Sequence, residues 1–199
     1  KAADLIPRNL DLNVFAITNM FEVIVGDKLP EYSEVGTIII DFGAQKTTII
    51  VYKEGGPILT KEISIGGVLI TEEVQRQMGV SYEEAEDLKT NGDDNGNLPE
   101  EIVAIIQDQT DTLMAEIKKV LNFFIAVGSS EQAGACFVTG GSCKLPGLIE
   151  TLQELVDLEV EILNPFEMIE FDKKTFDEDQ LDDIATTGLV AMGLGLRKT

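Results

Sequence analysis

Two adjacent glycines, Gly140 and Gly141, separate an apolar segment with the pattern of a buried strand from one with the pattern of a helix. We therefore predict a strand over residues 135–139 and a helix over residues 146–156. A strand that stops at glycines and continues as a helix is typical of an α/β fold, and it leaves backbone N–H groups facing an open cleft. Such a cleft suits a nucleotide, although the turn needs glycine for its conformation whether or not a ligand binds.

A second glycine turn lies upstream, at Gly43. Asp41 ends an apolar strand just before it, and Lys46, Thr47 and Thr48 follow it. The carboxylate of Asp41 suits a magnesium ion held through water, because this small cation sheds its hydration shell reluctantly. Glycine lets the turn approach a phosphate closely, and the three residues that follow offer amides and side chains as donors. An aspartate and a glycine between strands are also ordinary residues of a hairpin turn, so a purely structural role stays open.

A third feature is the pair Glu86 and Lys89, which lie one helical turn apart in a predicted helix over residues 81–89. The two side chains face the same side and can hydrogen-bond a ribose together. The alternative is an ordinary surface pair, worth a few tenths of a kcal/mol. Each of the three features is weak alone, but their occurrence in this order predicts a single nucleotide site.

The spacing of apolar residues predicts an α/β domain of the ribonuclease-H-like type. Three strands with short, glycine-bearing connections should form an antiparallel meander, and helices then alternate with two strands that should join the same mixed sheet in parallel. The predicted strands cover residues 37–41, 47–53, 58–65, 135–139 and 160–163, and the predicted helices cover residues 13–25, 68–79, 81–89, 98–127, 146–156 and 183–196.

We predict a domain boundary near Ser33. Residues 1–32, with a strand end at residues 10–12 followed by the first helix, are expected to be a remnant of a preceding domain, and residues 33–199 are expected to form the main one. Residues 67–128 should be a helical insertion within it. Because the sequence lacks an initiator methionine, we expect the chain to be part of a longer protein.

Composition excludes several classes of function. The formal net charge of −21, from 36 acidic and 15 basic residues, disfavours binding to nucleic acids and to anionic membranes. The chain contains no histidine, which excludes serine–histidine and cysteine–histidine hydrolases and most zinc catalysis. Cys136 and Cys143 have the pattern of reduced thiols, and no apolar run reaches the length of a membrane span. We therefore expect a soluble, cytoplasmic protein without direct membrane insertion.

These segments resemble the second half of the actin-like ATPase superfamily, which includes actin, the heat-shock chaperones and the division protein FtsA. Residues 41–48 are similar to its second phosphate loop, the pair Glu86 and Lys89 to its ribose-contacting pair, and residues 140–147 to its adenosine motif. Within the superfamily, the chain most resembles the PilM family of type IV pilus assembly proteins. That resemblance runs over residues 10–197 and rests on residues 41–48, 66–71, 82–89, 121–124 and 160–166.

The resemblance implies a site for ATP and Mg²⁺ between two actin-like domains, of which this chain supplies the second. The implied cofactor-binding residues are Asp41 for the metal, Gly43, Ala44, Lys46 and Thr47 for the phosphates, Glu86 and Lys89 for the ribose, and Gly140, Gly141, Ser142 and Lys144 for the adenosine. No residue is assigned a catalytic role, because hydrolysis also needs the first phosphate loop of the other domain. We do not expect this chain alone to turn ATP over.

The resemblance also implies a cellular role. It places the protein at the cytoplasmic side of the type IV pilus inner-membrane platform, peripheral to the membrane and held there through its partners. One implied partner is a PilN-like membrane protein whose short cytoplasmic tail binds the other domain, so no partner-binding residue is assigned in this chain. The other implied partners are further platform proteins, and no nucleic acid is expected.

Two alternatives stay open. A filament-forming or membrane-tethered division ATPase of the FtsA kind would share the fold, but that family carries a glycine triplet after the aspartate, where this chain has Ala44, Gln45 and Lys46. An actin-fold scaffold that binds no nucleotide would keep both glycine turns for structural reasons. The acidic helix around Glu86 favours the scaffold slightly, because additional carboxylates disfavour a nearby polyphosphate.

Overall fold

The computed structural model describes residues 10–93, 96–127, 133–171 and 177–196. The helices in this part of the chain are α1 (Asn13–Val25), α2 (Leu29–Val35), α3 (Gly67–Met78), α4 (Tyr82–Asn91), α5 (Glu100–Val127), α6 (Leu148–Val156), α7 (Glu178–Thr187) and α8 (Leu189–Gly195). The strands are β1 (Thr37–Phe42), β2 (Thr47–Lys53), β3 (Gly56–Ile63), β4 (Ala135–Thr139) and β5 (Val160–Ile162). Short 3-10 helices lie at Gly26–Lys28, Gly141–Lys144 and Pro165–Glu167.

The strands form one mixed sheet in the order β3-β2-β1-β4-β5. The pairs β1–β2 and β2–β3 are antiparallel, whereas β1–β4 and β4–β5 are parallel, which confirms the predicted α/β fold. β1 and β2 are nearly continuous apolar runs, as expected for strands buried on both faces. In the register of the parallel pair Asp41 lies beside Thr139, so the two strands that precede the glycine turns end at the same edge of the sheet.

The sheet has a hydrophobic core on each face, since alternate residues of a strand point to opposite sides. Ile38 and Ile40 pack into the larger core with apolar residues of α3, α5 and α6. Ile39 packs into the smaller core with α1 and α8. The latter helices cross so closely that a Cβ on Gly193 would lie 2.0 Å from the carbonyl oxygen of Ala16, so this crossing requires glycine.

The structure differs from the sequence prediction at two places. The strand end predicted at residues 10–12 is wrong: these residues form no strand, and the carbonyl of Leu12 accepts the first hydrogen bonds of α1, from the N–H groups of Phe15 and Ala16. The alternating Leu-Asp-Leu pattern imitates a strand, but a strand also needs a paired neighbour. The predicted terminal helix is divided at Gly188 into α7 and α8.

The predicted domain boundary near Ser33 falls inside α2. α1 contributes Ile17, Met20 and Phe21 to the core beneath the sheet. The assignment of residues 1–32 to a preceding domain stays a prediction, and residues 1–9 lie outside the described part. None of the helices in the described residues combines the length and the apolar character that crossing a membrane requires.

Candidate functional site

A cleft of about 910 Å³ opens at the edge of the sheet where β1 and β4 end. Three separate parts of the chain form it: the turn after β1, the helices α3 and α4, and the segment after β4 together with α7 and α8. The sequence-predicted residues that line it are Asp41, Gly43, Ala44, Glu86, Lys89, Gly140, Gly141, Ser142 and Lys144. Residues far apart in the sequence therefore meet in one concave site.

Asp41 lies on the floor of the cleft. Burial raises the pKa of this carboxyl group above its usual value, and the charge of Lys46 only partly opposes that effect. No hydrogen bond reaches the Asp41 carboxylate from the described residues. Gly140 approaches it so closely, with a φ of +90°, that a Cβ there would lie 2.5 Å from Asp41 Oδ1. The carboxylate is thus kept accessible by a glycine, and in the described part of the chain it accepts no hydrogen bond.

The turn between β1 and β2 is fixed to the start of α3. The N–H of Gly67 donates to the carbonyl of Gly43 at 3.1 Å, and the N–H of Val68 donates to the carbonyl of Ala44 at 2.8 Å. Gly66 passes directly over the turn, where a Cβ would lie 2.6 Å from the same two carbonyl oxygens. The turn therefore supplies the acceptors that the first amides of a helix require.

Two predicted phosphate ligands, Lys46 and Thr47, are not among the residues that line the cleft. Lys46 forms an ion pair with Glu62 on the neighbouring strand β3. Thr47 is fully buried, and its hydroxyl donates to the carbonyl of Ile65 at 2.8 Å. Thr48 is also buried. In this structure both predicted side chains have partners away from the cleft, which leaves backbone groups as the turn's contribution to it.

The wall formed by α3 and α4 contains a buried polar network around Lys89. The ammonium group donates to Thr71 Oγ1 at 2.9 Å, to Glu86 Oε2 at 2.7 Å and to the carbonyl of Gly67 at 3.3 Å. Thr71 also hydrogen-bonds the Glu86 carboxylate. The Lys89 side chain is only 7% exposed, whereas that of Glu86 is 42% exposed. Lys89 is therefore held back in the wall, and Glu86 is the member of the pair that faces the cleft.

The pKa of Glu86 reflects this network. Partial burial is the largest single effect and raises the pKa, but hydrogen bonds from Lys89 and Thr71, with the charge of Lys89, together lower it below its usual value. Glu86 is therefore a carboxylate at neutral pH and accepts hydrogen bonds. A carboxylate at this position suits hydroxyl groups of a ligand better than it suits phosphates.

The opposite wall is formed by the 3-10 helix Gly141–Lys144 and by α7. Lys144 Nζ lies 2.7 Å from Asp183 Oδ1, and both side chains are exposed. The carbonyl of Thr186 accepts from the N–H of Gly140 and from the hydroxyl of Thr139, each at 3.2 Å. The end of α7 is thus attached to the end of β4 beside the cleft.

Two smaller contacts complete the loop after β4. Ser142 Oγ donates to the carbonyl of Gly43 at 3.3 Å and so connects the two glycine turns. Cys143 is buried, which raises the pKa of its thiol to about 11. This thiol stays protonated at neutral pH and is a poor nucleophile.

Some residues of the site were not found from the sequence. Thr71 joins the Glu86–Lys89 pair through a hydroxyl that points from α3, and its only signal was a threonine one helical turn after Gly67. Asp183 and Thr186 come from a strongly acidic segment that resembled a solvated surface. No pattern in that segment indicated that α7 would return to the cleft.

The geometry of the cleft fits a nucleotide with a divalent cation. Its volume lies in the usual range for small-molecule sites. Among the described residues, no group of three or more acidic or cysteine side chains could hold a metal ion. A cation at Asp41 would therefore keep water and ligand oxygens in its coordination shell, as magnesium usually does.

Comparisons with known proteins agree with this fold. The profile of the family described as type IV pilus assembly protein PilM matches residues 1–199. A solved structure, a PilM–PilN type IV pilus biogenesis complex, is similar with a TM-score of 0.83 and 28% identity over 98% of this chain and 54% of that chain. The cell division protein FtsA of Enterococcus faecalis is 26% identical over 80% of this chain and 40% of its own length.

A more distant structure is MreB 5 of Spiroplasma citri bound to AMPPNP. It is 14% identical with a TM-score of 0.60, and the match spans 90% of this chain and 57% of the MreB 5 chain. At this identity the likeness concerns the fold alone. The chain spans about half the length of the PilM structure and about 40% of the FtsA relative.

Proposed function

The chain belongs to the family of type IV pilus assembly proteins PilM, and we propose that it is the ATP-binding second domain of a pilus assembly protein. In this proposal ATP and Mg²⁺ occupy the cleft at the ends of β1 and β4. The observation that carries the proposal is the meeting of three sequence motifs, at Asp41, at Glu86 and at Gly140, around one cleft.

The phosphates are assigned to the turn at Gly43 and Ala44 and to the floor beneath it. Asp41 would hold Mg²⁺ through water, and the cation would neutralise phosphate charge when it is bound. The unpartnered carboxylate of Asp41 supports this assignment, because a nearby cation would favour the ionised form that burial disfavours. Gly140 would keep the space beside Asp41 open.

The ribose and the base are assigned to the two walls. Glu86 would accept hydrogen bonds from ribose hydroxyls, while Lys89 positions it from within the wall. Gly141, Ser142 and Lys144 would lie against the adenine. The ammonium group of Lys144 forms an ion pair with Asp183 of α7, so an adenine in contact with Lys144 would lie beside this ion pair.

The partner proposal rests on the family and on the solved PilM–PilN complex. We assign this protein to the cytoplasmic side of the inner-membrane pilus platform, with a PilN-like cytoplasmic tail as the partner that holds it there. The tail is assigned to the other actin-like domain of the full-length protein, and ATP would act by changing how the two domains close on each other.

The test is isothermal titration of ATP with Mg²⁺ into the full-length protein and into this chain. We expect tighter binding at full length and a loss of about tenfold or more in Mg²⁺-dependent affinity for Asp41→Asn, since the carboxylate that would bind the metal's water ligands is removed. Glu159→Gln removes an exposed carboxylate away from the cleft and serves as the matched control. Unchanged binding in Asp41→Asn would contradict the site, and no binding by either protein would favour the nucleotide-free scaffold.

The FtsA relatives support a second candidate, a filament-forming actin-like protein. It predicts that the full-length protein sediments with ATP and not without it. A monomer at all nucleotide concentrations, measured by analytical ultracentrifugation, would exclude this candidate and leave the pilus assignment.

A further inference from the structure

β3 and β5 are the two edge strands of the sheet, and a second cavity, of about 700 Å³, lies along the outer edge of β3. β3 is the outer strand of the sheet and pairs only with β2 among the described strands. The cavity follows seven consecutive residues, 59–65, and its other side is one face of α5 from Thr112 to Phe123. We name this cavity the β3 groove.

The β3 groove combines an open backbone edge with an apolar floor. An edge strand presents N–H and C=O groups that another strand can pair with. Leu59 and Ile63 line the groove beside this edge, and Val120 and Phe123 line it from α5. Phe123 is 61% exposed, so part of this apolar lining is open to solvent.

The charge of Lys61 indicates which kind of ligand the β3 groove would bind. Lys61 lies directly opposite Ile49 on the neighbouring strand β2, and paired residues of antiparallel strands point to the same face of the sheet. Ile49 packs into the core with α5, so Lys61 is on the face that forms the groove. The other charged residues of the groove are neutralised in pairs, Lys119 with Glu116 and Glu62 with Lys46. Lys61 has no ion pair within the described residues. The groove thus carries one uncompensated positive charge in a chain whose net charge is −21.

We propose that the β3 groove binds an extended segment of a partner protein, which adds a sixth strand to the sheet beside β3. The segment carries an acidic residue opposite Lys61 with apolar residues two positions away on either side. Backbone hydrogen bonds supply affinity, and alternate side chains that enter the groove supply specificity.

A second copy of this chain fits the groove poorly. If the β3 strands of two copies paired antiparallel about a two-fold axis, residues directly opposite each other would point to the same face of the joined sheet. The residue opposite Lys61 would then be Lys61, Leu59 or Ile63 of the other copy. Like charges directly opposite are destabilising, and two chains of this net charge also repel each other. A charge on an edge strand also discourages self-pairing in general. Lys61 would therefore both attract an acidic segment and oppose pairing with a second copy.

The test selects a phage-displayed library of short linear peptides on this chain. We expect enriched peptides with an acidic residue flanked by apolar residues at two-residue spacing. Lys61→Glu should weaken their binding by about fivefold or more, because it replaces an attraction with a repulsion. Lys118→Glu makes the same charge reversal on an exposed part of α5 outside the groove and should leave binding unchanged.

Strand addition is tested with the selected peptide itself. N-methylation at alternate residues should abolish binding where the amide faces β3 and leave it intact where the amide faces solvent. Hydrogen exchange of residues 59–65 should slow when the peptide binds. The proposal is overturned if no sequence is enriched, if Lys61→Glu binds as wild type does, or if ultracentrifugation detects dimers that Lys61→Glu dissociates.

Discussion

The two walls of the cleft at the ends of β1 and β4 are held by different kinds of interaction. On the α3–α4 side, Lys89 is buried and donates to three acceptors, including Thr71 and Glu86. On the α7 side, the pair of Lys144 and Asp183 is exposed. Removing one member of a buried network destabilises the fold, because the remaining members are left buried without a partner. An exposed ion pair contributes only about 0–1 kcal/mol to the free energy of unfolding, and salt weakens it. The first wall is therefore preformed, whereas the ion pair between Lys144 and Asp183 in the second wall can break at little energetic cost.

The largest effect is expected for Lys89→Met, which tests whether the first wall depends on its network. The substitution removes the ammonium group that donates to Thr71 Oγ1 and to the Glu86 carboxylate, so we expect a loss of about 2–3 kcal/mol in the free energy of unfolding. Urea denaturation followed by circular dichroism measures it. Lys118→Met, an exposed lysine on α5, is the control, and a loss no larger than the control's would contradict the contrast.

Thr71→Val sharpens the comparison within that wall. Valine keeps the shape of threonine and removes the hydroxyl that joins Glu86 and Lys89, which should cost about 1–2 kcal/mol. Thr71→Ser keeps the hydroxyl and should recover more than half of the loss. Equal losses in both variants would assign the effect to packing. ATP affinity measured beside stability should fall for valine and stay near wild type for serine.

Glu86→Gln tests the same wall through pH. The pKa of Glu86 is lower in the folded state than its ordinary value of 4.5, so its contribution to stability is present above that value and is lost as the pH falls through the folded pKa. The difference in unfolding free energy between wild type and variant should shrink as the pH falls below 4.5. Because the side chain is partly exposed, we expect no more than about 1 kcal/mol. A pH-independent difference would contradict this.

Asp41→Asn has the opposite sign, because Asp41 is on the floor and receives no hydrogen bond from the residues that the structure describes. Burial raises its folded pKa, so the ionised group destabilises the fold at neutral pH and protonation relieves that cost as the pH falls. We expect the amide to stabilise the chain at pH 7 by about 0.5–1 kcal/mol in the absence of nucleotide. Thermal unfolding measures it, and a destabilised variant would show that the carboxylate has a structural partner.

The smallest effect is expected for Lys144→Met on the exposed wall. Loss of its ion pair with Asp183 should change the unfolding free energy by less than about 0.5 kcal/mol, and the change should vanish in high salt. Denaturation at low and at high ionic strength measures both points. A loss as large as that of Lys89→Met would show that the two walls are equally fixed.

The sheet could be predicted from the sequence because its signals are local. Apolar runs and glycine turns located every strand to within a few residues, and the order of strands and helices implied the parallel pairs. The sequence predicted one site from the order of its motifs, and the parallel pairing of β1 with β4 is what places Asp41 and Gly140 side by side.

The side-chain partners of the site could not be predicted in the same way. Lys46 pairs with Glu62, and this pairing depends on the register between β2 and β3. Thr71 and Lys89 belong to different helices, and only their packing brings the hydroxyl to the ammonium group. α7 ends before Gly188, and α8 then packs against α1, a tertiary contact that the sequence pattern did not indicate.

The hydrogen bonds between the turn after β1 and the start of α3 couple their motions. α3 has no side-chain cap, and the carbonyls of Gly43 and Ala44 take that place. Neither segment can shift without breaking the bonds from Gly67 and Val68 or carrying the other with it. A ligand that displaces the turn would therefore also displace the start of α3, and because α3 packs against α4, the displacement would reach the wall that holds Glu86.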